Sequence, residues 1–264
     1  MGLYAQDDLS LAQEMYENQD FEATIEYLHS FEIRHAADLL LEADAYHKLK
    51  SYEEAIETYD QVLAREEDNI YALMRRGAAY LELGDFSFAL KDVRKALRLR
   101  PEHPEANFHM GNICYDQDDM KNASKYYRTA LHHRPGYPQA TYMLGAAKSN
   151  LGQFKDAEKA FDQVMEDFPD AVYNLAVVKL EAKNYSEALS LFDQAESKGI
   201  STPDLYFFRA ESYFFMGDKR EACIDYKRAA GLDDSEAAEI YDSYCMKSRK
   251  KPNRKKRETI HIEL

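Results

Sequence analysis

Small residues return along this chain in a nearly fixed register: Thr24, Ala55, Ala89, Ala123, Ala157, Ala188 and Ala222, at intervals of 31, 34, 34, 34, 31 and 34 residues. Three further sets of marks keep the same phase. Twelve residues earlier stands another small residue: Ala12, Ala43, Gly77, Gly111, Gly145, Ala176 and Ala210. Four residues later comes a large apolar one: Leu28, Tyr59, Val93, Tyr127, Phe161, Phe192 and Tyr226. Three beyond that, a small or apolar residue follows from Val62 to Ala229, and Pro101, Pro135 and Pro169 close several units. A period in this range is the mark of stacked supersecondary units and not of one closed core.

Each unit reads as two antiparallel helices. The apolar marks fall at helical spacing, and small residues where the helices cross let their axes approach. The pairs Gly84-Asp85 and Gly217-Asp218 read as a glycine closing one helix and an aspartate capping the next. Proline stops the second helix. The first helices are expected to start near residues 5, 36, 70, 104, 138, 169 and 203. A last helix is expected over Ser235–Lys247, with Ala238, Ile240, Tyr241 and Tyr244 covering the final apolar face. The two junctions that are three residues short, near His35 and near Pro169-Asp170, are expected to change the local rotation between neighbours.

This pattern is similar to the tetratricopeptide repeat family. The resemblance covers roughly residues 5–247. The first copy is degenerate, and Lys219 stands where an aromatic is usual. The resemblance implies an all-α fold, a right-handed superhelical α-solenoid of antiparallel helix pairs over 1–247; the basic run after it reads as a flexible tail over 248–264. The resemblance also implies a noncatalytic scaffold that holds a protein or peptide partner.

Composition excludes several alternatives. No apolar run is long enough to cross a bilayer. Three cysteines, Cys114, Cys223 and Cys245, lie far apart in sequence. Their number and spacing argue against a disulfide framework or a zinc site and favour buried, reduced thiols. Net charge is −14. It divides into an acidic body, −20 over residues 1–246, and a basic end, +6 over 247–264.

Motifs for catalysis are missing from the sequence: it holds no HExxH, no GxSxG and no phosphate-binding glycine loop. Asp116-Gln117-Asp118-Asp119 opens like a calcium loop, but Lys121 and Tyr127 stand where its glycine and glutamate belong. It reads as a solvated turn. His132-His133 suits the negative end of a helix and has no nearby ligand partners. Cys114 reads as packing. No catalytic residue, metal, cofactor or small-molecule substrate is expected.

In the resembled family the first helices line a concave groove. Carried over, this places Tyr71, Met74, Phe108, Asn112, Tyr115, Tyr142, Asn150, Tyr173, Phe207, Glu211 and Phe214 on it, with Asp44 and His47 in the second unit. Tyr and Phe are good anchors for a partner, so the expected ligand is a basic or neutral peptide with apolar anchors. The alternative for each aromatic is packing between neighbouring first helices. The family's clamp for a free carboxylate needs lysine and asparagine where Phe108 and Met143 stand, so that mode is not expected.

Lys247–Arg257 is a dense basic run. It can be a solvated end, a contact for nucleic acid or anionic lipid, or a contact for an acidic body. Thr259–Leu264 alternates like an added strand. Gly2 lacks the serine or threonine a myristoylation signal needs, since Gln6 stands there. As given, the chain reads as cytoplasmic. If Met1-Gly2 replaces a removed export signal, it reads as periplasmic.

Overall fold

The computed structural model describes residues 4–31 and 34–247, with side chains from residue 9 onward. The calls on Gly2, on residues 248–257 of the basic run and on Thr259–Leu264 lie outside the described residues. Every regular element among the described residues is helical. The chain forms two compact units. Unit 1, residues 1–117 with 132–134, holds α1 (Tyr4–Glu17), α2 (Phe21–His29), α3 (Ala36–Lys48), α4 (Tyr52–Arg65), α5 (Ile70–Glu82), α6 (Phe86–Leu99) and α7 (Pro104–Asp116). Unit 2, residues 118–131 with 135–264, holds most of α8 (Met120–His133), then α9 (Pro138–Asn150), α10 (Phe154–Asp162), α11 (Asp170–Glu181), α12 (Tyr185–Ser197), α13 (Pro203–Met216), α14 (Lys219–Ala230) and α15 (Ser235–Ile240). A π-helical turn, Tyr241–Met246, follows. From α1 to α7 and from α9 to α15 consecutive helices pack side by side, and the pairs there stack in chain order.

The periodic marks form the core. Ala55, Ala89, Ala157, Ala188 and Ala222 are fully buried, as are Tyr59, Val93, Phe161, Phe192 and Tyr226 one helical turn on. Small residues on the first helices set how closely the pairs pack. A Cβ on Gly145 would lie 3.1 Å from Phe161 Cε1 and 3.2 Å from Ala160 Cβ. One on Gly77 would meet the Val93 side chain only at 3.5 Å. The larger ring opposite Gly145 therefore makes its missing side chain a steric requirement.

The turns inside the pairs share one geometry. Positive φ occurs at Gln19, Lys50, Gly84, Asp118, Gly152, Lys183 and Gly217, in the register of the repeat. After six of these residues the next amide returns to a carbonyl five residues back. Examples are Asp85 N to Tyr80 O (2.8 Å), Asn184 N to Lys179 O (2.8 Å) and Asp218 N to Tyr213 O (2.9 Å). This is a glycine-type helix stop, in places imposed on lysine, glutamine or aspartate. Asp218 caps α14 as expected, accepting from Glu221 N at 3.2 Å. Asp85 does not cap α6 with its side chain.

The 31-residue intervals have a local cause. α2 and α10 have 9 residues each, while α4, α6 and α8 have 14. The residues missing from the register come mainly out of these second helices.

Two expectations at the C-terminal end need correction. The closing helix ends at Ile240 and continues as the π turn, and Ala237, not Ala238, is the alanine it buries beside Ile240. Cys223 and Cys245 are joined by a disulfide, their Cα atoms 5.8 Å apart across a sequence separation of 22. The chain folds back along α14 and closes a gap that sequence spacing alone made look too wide. Cys114, half-buried, lies outside this bond.

Two arginines stitch pairs together. Arg76 on α5 donates to Asp92 of α6 through Nε and Nη2, each at 2.7 Å, and also to Asp60 of the preceding α4. Arg209 on α13 repeats the arrangement. It donates to Asp225 of α14 at 2.7 and 3.0 Å, and to Asp193 and Glu196 of the preceding α12 at 2.8 and 2.5 Å. Each ties a first helix to the second helices on both sides of it.

Candidate partner-binding surfaces

Six of the eleven groove residues named from the sequence are buried: Met74, Phe108, Tyr142, Tyr173, Phe207 and Glu211. Tyr142 packs edge-on to Phe161, with centroids 5.5 Å apart, and its hydroxyl accepts from Asn174 Nδ2 at 2.6 Å. Phe207 packs against Tyr226 at 5.8 Å, and Glu211 accepts the Tyr226 hydroxyl. Burial favours the packing alternative for these six. Tyr71 and Asn150 are exposed, while Asn112, Tyr115 and Phe214 are half-buried.

In unit 1 the structure brings Tyr71 together with Asp44, Tyr59 and Arg75. Asp44 on α3 has both oxygens engaged: the Tyr59 hydroxyl of α4 donates to Oδ1 at 2.5 Å, and the Tyr71 hydroxyl of α5 donates to Oδ2. Arg75, one turn after Tyr71, lies over its ring with Cζ 5.2 Å from the centroid. Its Nε is 3.8 Å from Asp44 Oδ1, beyond a hydrogen bond, and is buried with no hydrogen-bond partner among the described residues. Yet the Arg75 side chain as a whole is 42% exposed, and Tyr71 is 41% exposed.

The adjacent arginine decides how this is read. Arg76 is 19% exposed and bound to two aspartates, and Arg209 is 5% exposed and bound to three acids. Arg75 has an acid beside it, but Asp44 already accepts a phenol on each oxygen, and the arginine stands 3.8 Å away without a hydrogen bond to it. The guanidinium lies over the exposed Tyr71 ring with 42% of its side chain accessible.

The surrounding groups hold fixed charge states. Burial, then Asp44, pushes the Tyr59 hydroxyl up and raises Tyr71 to about 12. Burial works against the charge on Arg75, but Tyr71 and Asp44 outweigh it and hold the guanidinium above its ordinary value. Burial, then Arg75, lowers His47, one turn from Asp44. Burial, then Arg75, His47 and His103, brings His109 of α7 down to about 4. Tyr71 and His109 move away from neutral pH, which suits recognition better than proton transfer. Arg75 and His109 escaped the sequence reading. A signal was present, since they occupy the same position 34 residues apart, one place beyond Met74 and Phe108.

In unit 2, Glu211 and Tyr226 repeat the acid–tyrosine pairing of Asp44 and Tyr59, again 15 residues apart, but both are buried. The accessible feature there lies at the end of α13. Phe214 is half-buried beside the exposed Phe215 and Met216. No group of three or more His, Cys, Asp or Glu among the described residues is placed to hold a metal ion. No helix there is long and apolar enough to cross a membrane.

Comparison with known proteins follows the repeats. Sequence models described as tetratricopeptide repeat match residues 74–141, 115–180 and 203–236, and one described as TPR repeat matches residues 43–84. Together they cover more than half of the chain. The DnaJ protein P58IPK homolog A of Oryza sativa subsp. japonica is 36% identical over 107 residues, 39% of this chain and 22% of the relative. The chain thus spans about a fifth of the length of that curated relative. A tetratricopeptide repeat protein from Parabacteroides merdae ATCC 43184 superposes with a TM-score of 0.61 at 18% identity, over 90% of this chain and 97% of that one. YrrB, described as a TPR protein with an unusual peptide-binding site, gives 0.62 at 19% identity, over 69% and 96%. At these identities the two structures support the fold alone.

Proposed function

The chain belongs to the tetratricopeptide repeat proteins, and from that premise we propose that it is a noncatalytic interaction scaffold whose unit 1 docks a peptide on Tyr71 and Arg75. The observation that carries this reading is the contrast between neighbouring arginines: Arg76 is 19% exposed and donates to two aspartates, whereas the Arg75 side chain is 42% exposed and lies 3.8 Å from Asp44 without a hydrogen bond to it. A guanidinium beside an exposed ring suits a segment that offers a carboxylate to Arg75 and apolar surface to Tyr71. This differs from the basic or neutral ligand expected from the groove residues, because in this cluster the cation is the more accessible charge and Asp44, 13% exposed, already accepts two phenol hydroxyls. That a solved protein of the same fold is described as having a peptide-binding site lends support.

The test is selection of a random twelve-residue peptide library on the full-length protein. Peptides recovered on the wild type should be enriched in Asp or Glu next to an apolar residue, and the enrichment should vanish when selection is repeated on Arg75→Gln. Enrichment that is the same on both proteins would overturn the proposal.

A further inference from the structure

The last helix pair carries a strap that covers its own surface. α15 is anchored by Ala237 and Ile240, both buried in the core of the last pairs. The π turn that follows, Tyr241–Met246, contains no fully buried residue. Its Tyr241, Tyr244 and Cys245 are only partly buried against that core. A π turn is a rare form of helix, and with no fully buried residue this one has little apolar burial to hold it. The bond from Cys245 to Cys223 of α14 supplies a covalent hold.

That hold positions one side chain in particular. Tyr244 lies edge-on to Phe214, with centroids 5.4 Å apart and ring planes at 75°. The Lys219 ammonium stands 4.6 Å from the centre of the same tyrosine ring. Phe214 belongs to the last turn of α13, a first helix of a pair, and to the set of residues read from the sequence as a partner surface. Next to it Phe215 is 50% exposed and Met216 53% exposed. A contiguous apolar surface of this kind marks an interaction site, and here the chain's own tyrosine occupies part of it, clasped by a ring below and a cation above.

We propose that the Cys223–Cys245 disulfide is a redox latch on an autoinhibitory strap: while it is closed, Tyr244 occupies the Phe214 surface, and its reduction frees residues 241–246 and opens that surface to an aromatic-bearing partner segment. The reductant is a dithiol. One of its thiolates attacks one sulfur of the Cys223–Cys245 bond, releasing the other cysteine and forming a mixed disulfide. The second thiol of the reductant then displaces the bound cysteine. Two electrons and two protons pass to the protein, leaving two cysteine thiols and the reductant as a cyclic disulfide. Both cysteines are half-buried, not sealed in the core, so a small dithiol can reach the bond. This inference concerns unit 2 and is independent of peptide docking at Arg75.

The experiment is hydrogen exchange with mass spectrometry on the full chain, first treated with oxidised glutathione and then with dithiothreitol. Thiol labelling of the denatured, oxidised sample should modify one cysteine, Cys114. On reduction, amide exchange over residues 241–246 and 214–216 should rise at least tenfold, while residues 203–210 stay as protected as before. The C223S/C245S variant should show the reduced pattern without any reductant. The Tyr244→Ala variant should raise exchange at 214–216 in the oxidised state while its thiol count stays at one. Equal exchange over 241–246 in both redox states would overturn the latch, as would three labelled thiols after oxidation. If the double variant does not fold, the chemical reduction arm on the wild type still decides.

Discussion

Replacing Arg209 by methionine keeps most of the side-chain bulk and removes the charge. Arg209 is 5% exposed, and Asp225, which it meets with two hydrogen bonds, is 3% exposed. Losing Arg209 leaves the buried Asp225 with only the half-exposed Arg228, 3.3 Å away, so the cost approaches the ~3–5 kcal/mol of leaving a buried charge unpaired. The contacts to Asp193 and Glu196 add little, because Asp193 is 60% exposed and a surface pair contributes about 0–1 kcal/mol. For a unit of this size such a loss corresponds to a fall in Tm on the order of 10 °C. The control is Arg75→Met, whose charge is half in solvent and whose acid is already bound by two tyrosines, so it should cost about 1 kcal/mol or less. Urea unfolding followed by circular dichroism at 222 nm measures both. Adding Asp225→Leu to Arg209→Met should recover at least half of the loss, since no buried charge then remains. The reasoning fails if Arg209→Met and Arg75→Met shift the midpoint equally, or if the second substitution deepens the loss.

Two further outcomes follow from packing and charge. Gly77→Ala should stabilise unit 1 by up to about 1 kcal/mol, because its Cβ meets ordinary contacts and alanine favours helix. Gly145→Ala should destabilise unit 2 by about 1 kcal/mol, since overpacking against Phe161 and Ala160 outweighs the same helix gain; urea midpoints of the two variants should move in opposite directions. His109 has a folded pKa of about 4, below the unfolded value near 6.5, so the folded state resists its protonation. Its contribution is therefore complete above pH 6.5 and is lost as pH falls toward 4, on the order of 2 kcal/mol by pH 5. Stability measured from pH 7.5 to 5 should fall less steeply in His109→Gln than in the wild type, and parallel curves would contradict the assignment.

The repeat was legible in the sequence because it is written in side-chain size. Ala55, Tyr59 and Val62 and their counterparts are buried in the pairs, small residues where helices approach closely and large apolar ones filling the space between them. The first helices accordingly begin at 4, 36, 70, 104, 138, 170 and 203, within one residue of the starts read from the sequence. Other features depend on three-dimensional proximity. Lys50 and Lys183 take the left-handed turn that Gly84 and Gly217 advertise, because the stacked helices impose it. Tyr142 and Phe207 occupy positions that face a groove in the resembled family, yet they turn into the core, where Asn174 and Tyr226 receive them. Arg75 and Arg76 are identical neighbours in the sequence. Only the helices around them show that Arg76 donates to two acids while Arg75 stands 3.8 Å from an acid that two tyrosines hydrogen-bond.

The most direct test of the docking account is the affinity of one library-selected acidic peptide, fluorescein-labelled and measured by anisotropy against the wild type, Arg75→Gln and Tyr71→Phe. The account predicts at least a tenfold weaker Kd for Arg75→Gln and little change for Tyr71→Phe, which keeps the ring, with both variants as helical as the wild type. Equal Kd for wild type and Arg75→Gln would contradict it.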